Sequence, residues 1–108
     1  MSSRTKNGFH AKDFSIDTDR SNLSAIELSG RYPEIGYAMN TKSEMVVYIL
    51  EGKIMLDRGA KKTLNKGAVA LIKKGEKYFW FPKENTTLLI FSSPPWTSEQ
   101  QRLTLDRK

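Results

Sequence analysis

The sequence predicts an all-β domain, a sandwich or barrel built from short strands. Three observations predict it. About eight short segments are rich in the β-branched and aromatic residues that suit a pleated, half-buried surface. Turn residues, mostly glycine, separate them at intervals of roughly 8–12 residues, the rhythm of sandwiches and barrels. Two segments, "MVVYIL" at 45–50 and "KYFWF" at 77–81, are too continuously apolar for simple alternation. They read as covered on both sides, one face lining an interior and the other meeting a second element or subunit.

The elements follow in order. Residues 1–20 are polar and charged, with Phe9, Phe14 and Ile16 the only large apolar side chains after Met1. They read as an N-terminal arm with one short strand that packs against the body or a partner. The barrel domain spans 21–108. "SAIEL" (24–28) ends at Ser29-Gly30, and "EIGYAM" (34–39) follows Pro33. "MVVYIL" turns at Glu51-Gly52 into "KIMLD" (53–57), which stops at Arg58-Gly59. "KKTL" (61–64) runs to Gly67, and "AVALI" (68–72) turns through Lys73-Lys74-Gly75-Glu76 into "KYFWF", stopped by Pro82. "TTLLIF" (86–91) closes the series before Pro94-Pro95. The tail "PPWTSEQQRL" reads as a short helical turn, because Thr97 and Gln100 have capping-box spacing. Trp96 ahead of it is core packing, a plug for one barrel end or a dimer contact.

Composition narrows the chemistry. At 108 residues the chain supports one core. No apolar run approaches the ~20 residues of a membrane helix. "MSSRTKNGFHAKDF" lacks the apolar stretch of a signal peptide, so a cytoplasmic protein is expected. With no cysteine and a single histidine, His10, disulfides, thiolate metal sites and multi-imidazole sites are excluded. The formal net charge is +6, with lysine pairs at 61–62 and 73–74. Such clusters serve an anionic ligand or nucleic acid, or simply keep sheet edges soluble. No nucleic-acid-binding motif accompanies them, so nucleic acid is not the expected partner.

"EMVVYILEGKIMLD" followed by "LNKGAVALIKKGEKYFW" resembles the two motifs of the cupin family, and "FSSPPWTSEQ" is similar to the cupin exit from the last core strand. The resemblance covers roughly residues 34–100 and implies an antiparallel jelly-roll β-barrel, commonly dimeric, with a site inside the barrel. The first family motif ends on a glycine separated from a glutamate by six intervening residues, matched here by Gly52, which places the glutamate position at Met45; Glu44 is one place out of register. The two histidine positions fall on Met39 and Thr41 with a three-residue spacer, or on Ala38 and Asn40 with four. In the second motif Gly67 and Gly75 match, while the proline, histidine and asparagine positions hold Lys73, Tyr78 and Pro82. The turn glycines are present and every metal-ligand position is replaced. Methionine and threonine are poor ligands for a hard or borderline cation, and a phenol of pKa ~10 does not hold one at neutral pH. No metal and no other cofactor is expected.

By alternation, Met45 facing inward takes Val47 and Ile49 with it, and Tyr78 shares a face with Trp80. Together with Tyr37, Met39 and Thr41 these side chains would make a soft, largely apolar pocket for a small organic ligand, which the basic rim would allow to be anionic. The alternative is that methionines and aromatic rings simply fill the barrel. A further alternative is a sugar or keto-acid isomerase or epimerase with Tyr78 as acid. Its base would have to be Glu44 or a partner subunit's His10, since acid–base catalysis needs two groups with separated roles. A homodimer is expected, with Val46, Tyr48 and Leu50 as a contact face. A dimeric regulatory or nucleic-acid-associated protein using the lysine clusters is the remaining reading.

Overall fold

The computed structural model describes residues 2–6, 9–14 and 20–105. The chain runs through β1 (Ser2–Lys6), β2 (Phe9–Phe14), β3 (Asn22–Leu28), β4 (Tyr37–Asn40) and β5 (Glu44–Glu51). It continues through β6 (Lys53–Asp57), β7 (Lys61–Asn65), β8 (Val69–Ile72), β9 (Phe79–Pro82) and β10 (Thr86–Ser93). A single 3-10 turn, Ser98–Gln100, leads to β11 (Gln101–Thr104). Every named ladder is antiparallel. Among the described residues no helix is long and apolar enough to cross a membrane.

Two layers enclose the core. One is a six-stranded sheet in the order β1-β2-β3-β10-β5-β8. The other is assembled from the three-stranded sheet β7-β6-β9 and the two-stranded sheet β11-β4. Reciprocal backbone bonds join those two pieces beside β9: Ala38 and Tyr78 exchange bonds of 2.8 and 2.9 Å, and Tyr32 and Trp80 exchange two of 2.9 Å. Among the described residues no continuous ladder connects the layers, so the barrel is open along its seams there.

Strand β5 shows why the layers face each other. Its burial alternates strictly, with Met45, Val47 and Ile49 inward. They meet Ile26, Leu28, Leu88 and Ile90 of the same sheet and Ile54, Leu56 and Trp80 of the other in one cluster. Each such side chain contributes about 1.5–3 kcal/mol on burial. The expectation that 45–50 is covered on both sides meets a different outcome. Val46, Tyr48 and Leu50 are 44%, 38% and 42% exposed, and no described element covers them. Register places Val46 between Phe91 and Leu71, and Tyr48 between Leu89 and Val69, giving two uncharged rows across β10, β5 and β8.

The β5–β6 turn depends on glycine. Gly52 has φ +95°, and a Cβ there would lie 2.4 Å from the Asn85 carbonyl oxygen and 2.8 Å from Thr86 Cα.

Both chain ends depart from expectation. The N-terminal arm carries two strands where one was expected. β2 pairs with β3 over six residues and supplies the partners that strand's outer edge requires. At the C-terminus the expected short helical turn is the 3-10 turn Ser98–Gln100, and beyond it β11 pairs with β4, from Gln101↔Asn40 to Thr104↔Tyr37. Gln100 caps nothing. Its Oε1 accepts from the backbone N–H groups of Lys42 at 3.1 Å and Ser43 at 2.8 Å, and its Nε2 donates to Ser43 Oγ at 2.9 Å. Ser43 Oγ donates onward to the Pro94 carbonyl at 2.6 Å.

Candidate functional site

A cavity of about 40 Å³ opens at the barrel end where β3, β10, β5 and β11 meet the segment before β9. Its apolar wall is Ile26, Ile90, Met45 and the rings of Tyr78 and Trp80; its polar groups come from Ser24, Ser92, Tyr32, Gln101 and Trp96. At ~10–15 Å³ per water site it has room for about three waters, or for the leading end of a small molecule. Tyr78 and Trp80 are each 2% exposed and stack edge to face, with centroids 5.3 Å apart.

Strand phase decides which predicted residues reach it. Met45, Tyr78 and Trp80 line the cavity. Tyr37, Met39 and Thr41 do not. In β4 the buried residues are Ala38 and Asn40, and Tyr37 and Met39 alternate with them on the other face. The cause is backbone pairing: Ala38 opposite Tyr78 must share its face, and period 2 carries Asn40 along. The Tyr37 ring packs on Phe79 instead, centroids 5.6 Å apart, and Arg31 lies over the same ring. Thr41 is exposed and donates to the Gln100 carbonyl at 3.0 Å. Of the two motif spacings, the four-residue one that points to Ala38 and Asn40 matches this phase.

Glu44 is exposed on the outer phase of β5, one residue from inward-facing Met45. His10 pairs with Glu27 on the outer phase of β2 and β3, while its neighbour Ala11 pairs with buried Ile26. Neither faces Tyr78 within the chain. The lysine pairs 61–62 and 73–74 are exposed on β7 and in the turn after β8.

The polar wall is neutral. Tyr32 Oη donates to Gln101 Oε1 at 2.8 Å, and Trp96 Nε1 donates to Asn40 Oδ1 at 2.9 Å. The Asn40 carbonyl in turn accepts from Gly75 N–H at 2.7 Å, which ties the β8–β9 turn to the site. Burial pushes the Tyr78 phenol far above its ordinary value, and the Tyr32 hydroxyl adds to the rise. The side-chain amides of Gln101 and Asn40 pull the other way and are outweighed. Tyr78 is therefore a neutral hydroxyl, suited to donating a hydrogen bond and poorly matched to releasing a proton near neutral pH.

The donors at the positions that carry metal ligands in the resemblance are an amide (Asn40), a thioether (Met45) and this protonated phenol, with none on Ala38. That set does not fit a divalent ion. Among the described residues no three His, Cys, Asp or Glu side chains cluster as ligands would.

Four polar cavity residues do not stand out in the sequence: Ser24 and Ser92 on the inward phase of β3 and β10, Tyr32 before β4, and Gln101 in β11. Ser24 and Ser92 carried a signal, since each puts a hydroxyl where an apolar strand continues its inward phase. Tyr32 and Gln101 carried none, because loop and tail bring them in.

No family model and no curated protein matches the chain at the level of sequence. Solved structures do match the fold. Pac13, described as a unique nucleoside dehydratase, gives a TM-score of 0.82 at 8% identity, covering 99% of this chain and 87% of its own. A Streptomyces Pac13 variant with uridine gives 0.83 at 8% identity over 99% of this chain and 86% of that one. KdgF from a Halomonas species gives 0.75 at 13% identity, covering 92% and 90%. An RmlC-like cupin from Shewanella frigidimarina gives 0.72 at 16% identity, covering 84% and 80%.

Proposed function

We propose, from the premise that this chain has the cupin fold, that it is a metal-free binding protein for a small organic molecule. The ligand enters the cavity between Met45, Tyr78 and Trp80. One observation carries the reading. The barrel end holds an open cavity whose apolar wall is interrupted by convergent neutral hydrogen-bonding groups, the usual make-up of a small-molecule site. The two inward serines, Tyr32 and Gln101 supply hydrogen-bonding groups around the opening.

The Pac13 likeness favours including nucleosides among the ligands tried, since one of those structures contains uridine. An isomerase or epimerase reading is weaker. No carboxylate or imidazole lines the cavity among the described residues, and the Tyr78 phenol is held protonated.

Fluorescence tests the proposal, because Trp80 and Trp96 both line the cavity. Titration with uridine, uracil and small carbonyl compounds should quench or shift the emission and raise the melting temperature. If none of them changes either signal at millimolar concentration, the cavity is packing leftover and the binding reading fails.

A further inference from the structure

A second concavity, of about 420 Å³, lies on the outer face of the sheet β7-β6-β9, opposite the face that carries Trp80. Its floor is Met55, Phe81 and Pro82, and the β6–β9 register sets Met55 and Phe81 side by side. Phe81 is 52% exposed, a large ring left open to solvent. Lys61 and Lys83 complete the lining. Register places them on opposite sides of the ring. Lys61 pairs with Asp57, one row beyond the Met55–Phe81 row; the Lys83 N–H bonds to the Lys53 carbonyl at 2.9 Å, one row before it. Each lysine therefore leaves the backbone about 7 Å to one side of Phe81, measured along the strands. Exposed Lys53 adds a third cation at the Lys83 end. Among the described residues no carboxylate lines the groove. Asp57 shares the Lys61 row but is buried, its Oδ1 accepting from the Gly59 N–H at 3.1 Å. Glu51 is paired with Lys66 at 3.4 Å, and Glu84 is exposed outside the groove.

We propose that this groove binds single-stranded nucleic acid, one base stacking on Phe81 while the phosphates on either side of it meet Lys61 and Lys83. The site is separate from the barrel cavity and does not depend on it. An exposed ring flanked by cations is the make-up of a single-strand platform, tolerant of sequence because every base has a flat face. Charge complementarity selects this occupant over the others. A second copy docked face to face here would set lysine against lysine on a chain of net charge +6, whereas the β10-β5-β8 face is free of that repulsion. An acidic peptide would satisfy the lysines and leave the ring without a flat partner. A free nucleotide carries its phosphate at one end and leaves the lysine on the other side unmatched. No linear motif records the arrangement, because β9, β7 and the turn after β9 each supply one part of it. That is why composition alone gave no reason to expect this partner.

The test uses the full chain and a fluorescein-labelled oligouridylate, with anisotropy followed between about 50 and 200 mM salt. Affinity should fall with salt at a log–log slope near −1.4, two phosphates at about −0.7 each. Lys61→Gln and Lys83→Gln should each reduce the slope by about 0.7. Phe81→Ala should lose at least about five-fold in affinity with the slope unchanged, while Phe81→Trp should keep the affinity of the parent. All three positions are exposed, so these variants should fold, and an unchanged melting temperature checks it. No binding at the lowest salt overturns the proposal. Binding that Phe81→Ala and both lysine variants leave unchanged overturns it too, since the charge then acts elsewhere. Polyglutamate that displaces the strand as well as unlabelled oligouridylate does makes this an acidic-peptide surface. Uridine monophosphate that does so makes it a free-nucleotide site, and either result overturns the assignment. A dimer that Phe81→Ala converts to monomer in sedimentation overturns it as well, with a second copy as the occupant. The barrel-cavity reading stands or falls separately, on the tryptophan titration above.

Discussion

Replacing Gln100 by leucine keeps most of the side chain's bulk and removes every hydrogen bond it makes. Gln100 is buried and serves the backbone N–H groups of Lys42 and Ser43, at 3.1 and 2.8 Å, through one oxygen. In Gln100→Leu both donors lose their acceptor inside the protein. An unsatisfied buried donor costs about 1–3 kcal/mol. The Lys42 amide is only partly buried, so the expected total is about 2–5 kcal/mol. Against the ~5–15 kcal/mol of an ordinary domain this is a large fraction. At roughly 4 °C per kcal/mol for a chain of this size, the melting temperature should fall by ~8–20 °C. Urea unfolding gives the free energy directly, with an unchanged m-value if only the native state is affected. A Gln100→Leu loss below ~0.5 kcal/mol, within the range of an ordinary surface change, would refute the argument.

Other outcomes follow from the same geometry. Gly52→Ala should destabilise by well over the ~1–2 kcal/mol of a left-handed residue, because its Cβ meets the Asn85 carbonyl at 2.4 Å. Gly67→Ala, with open space at its Cβ, should cost only that conformational amount in the same urea titration. Met45→Phe should fill the cavity, abolish probe binding in the fluorescence assay and change stability by less than ~1.5 kcal/mol. The Tyr78 phenol starts from 10.0 when unfolded and is raised in the folded chain, so its contribution is fully present below pH 10.0 and lost above it. Urea titrations between pH 9 and 11 should show an alkaline loss that is smaller in Tyr78→Phe. The outer rows of β10, β5 and β8 are uncharged on a chain of net charge +6, so two copies meet with least repulsion there. Sedimentation at micromolar concentration should show a dimer that Tyr48→Lys converts to monomer; a monomeric parent refutes this.

Much of the architecture was legible because period-2 alternation and turn glycines act locally. The β5–β6 hairpin around Gly52 and the shared face of Tyr78 and Trp80 both follow from neighbours in sequence. The phase of β4 was not legible. Either Tyr37 and Met39 or Ala38 and Asn40 could be turned inward, and hydropathy favours the first pair. Pairing of Ala38 with Tyr78, forty positions away, imposes the second. The second strand of the N-terminal arm and β11 escaped for a related reason. They are polar segments that become strands because neighbouring edges need backbone partners, and composition does not record that need. Asn40 was reachable only through the alternative motif spacing.

The Trp96–Asn40 contact also has a consequence for the order of events in folding. The residues that finish the cavity, Trp96 and Gln101, lie 56 and 61 positions after Asn40, and Gln100 fastens that stretch to the loop ahead of β5. Closing loops of that length is slow relative to forming the β5–β6 hairpin. The six-stranded sheet has no need of this tail, while the cavity lacks part of its wall until the tail has docked. Affinity for ligand should thus be the last property a refolding chain acquires, appearing after the bulk of its secondary structure.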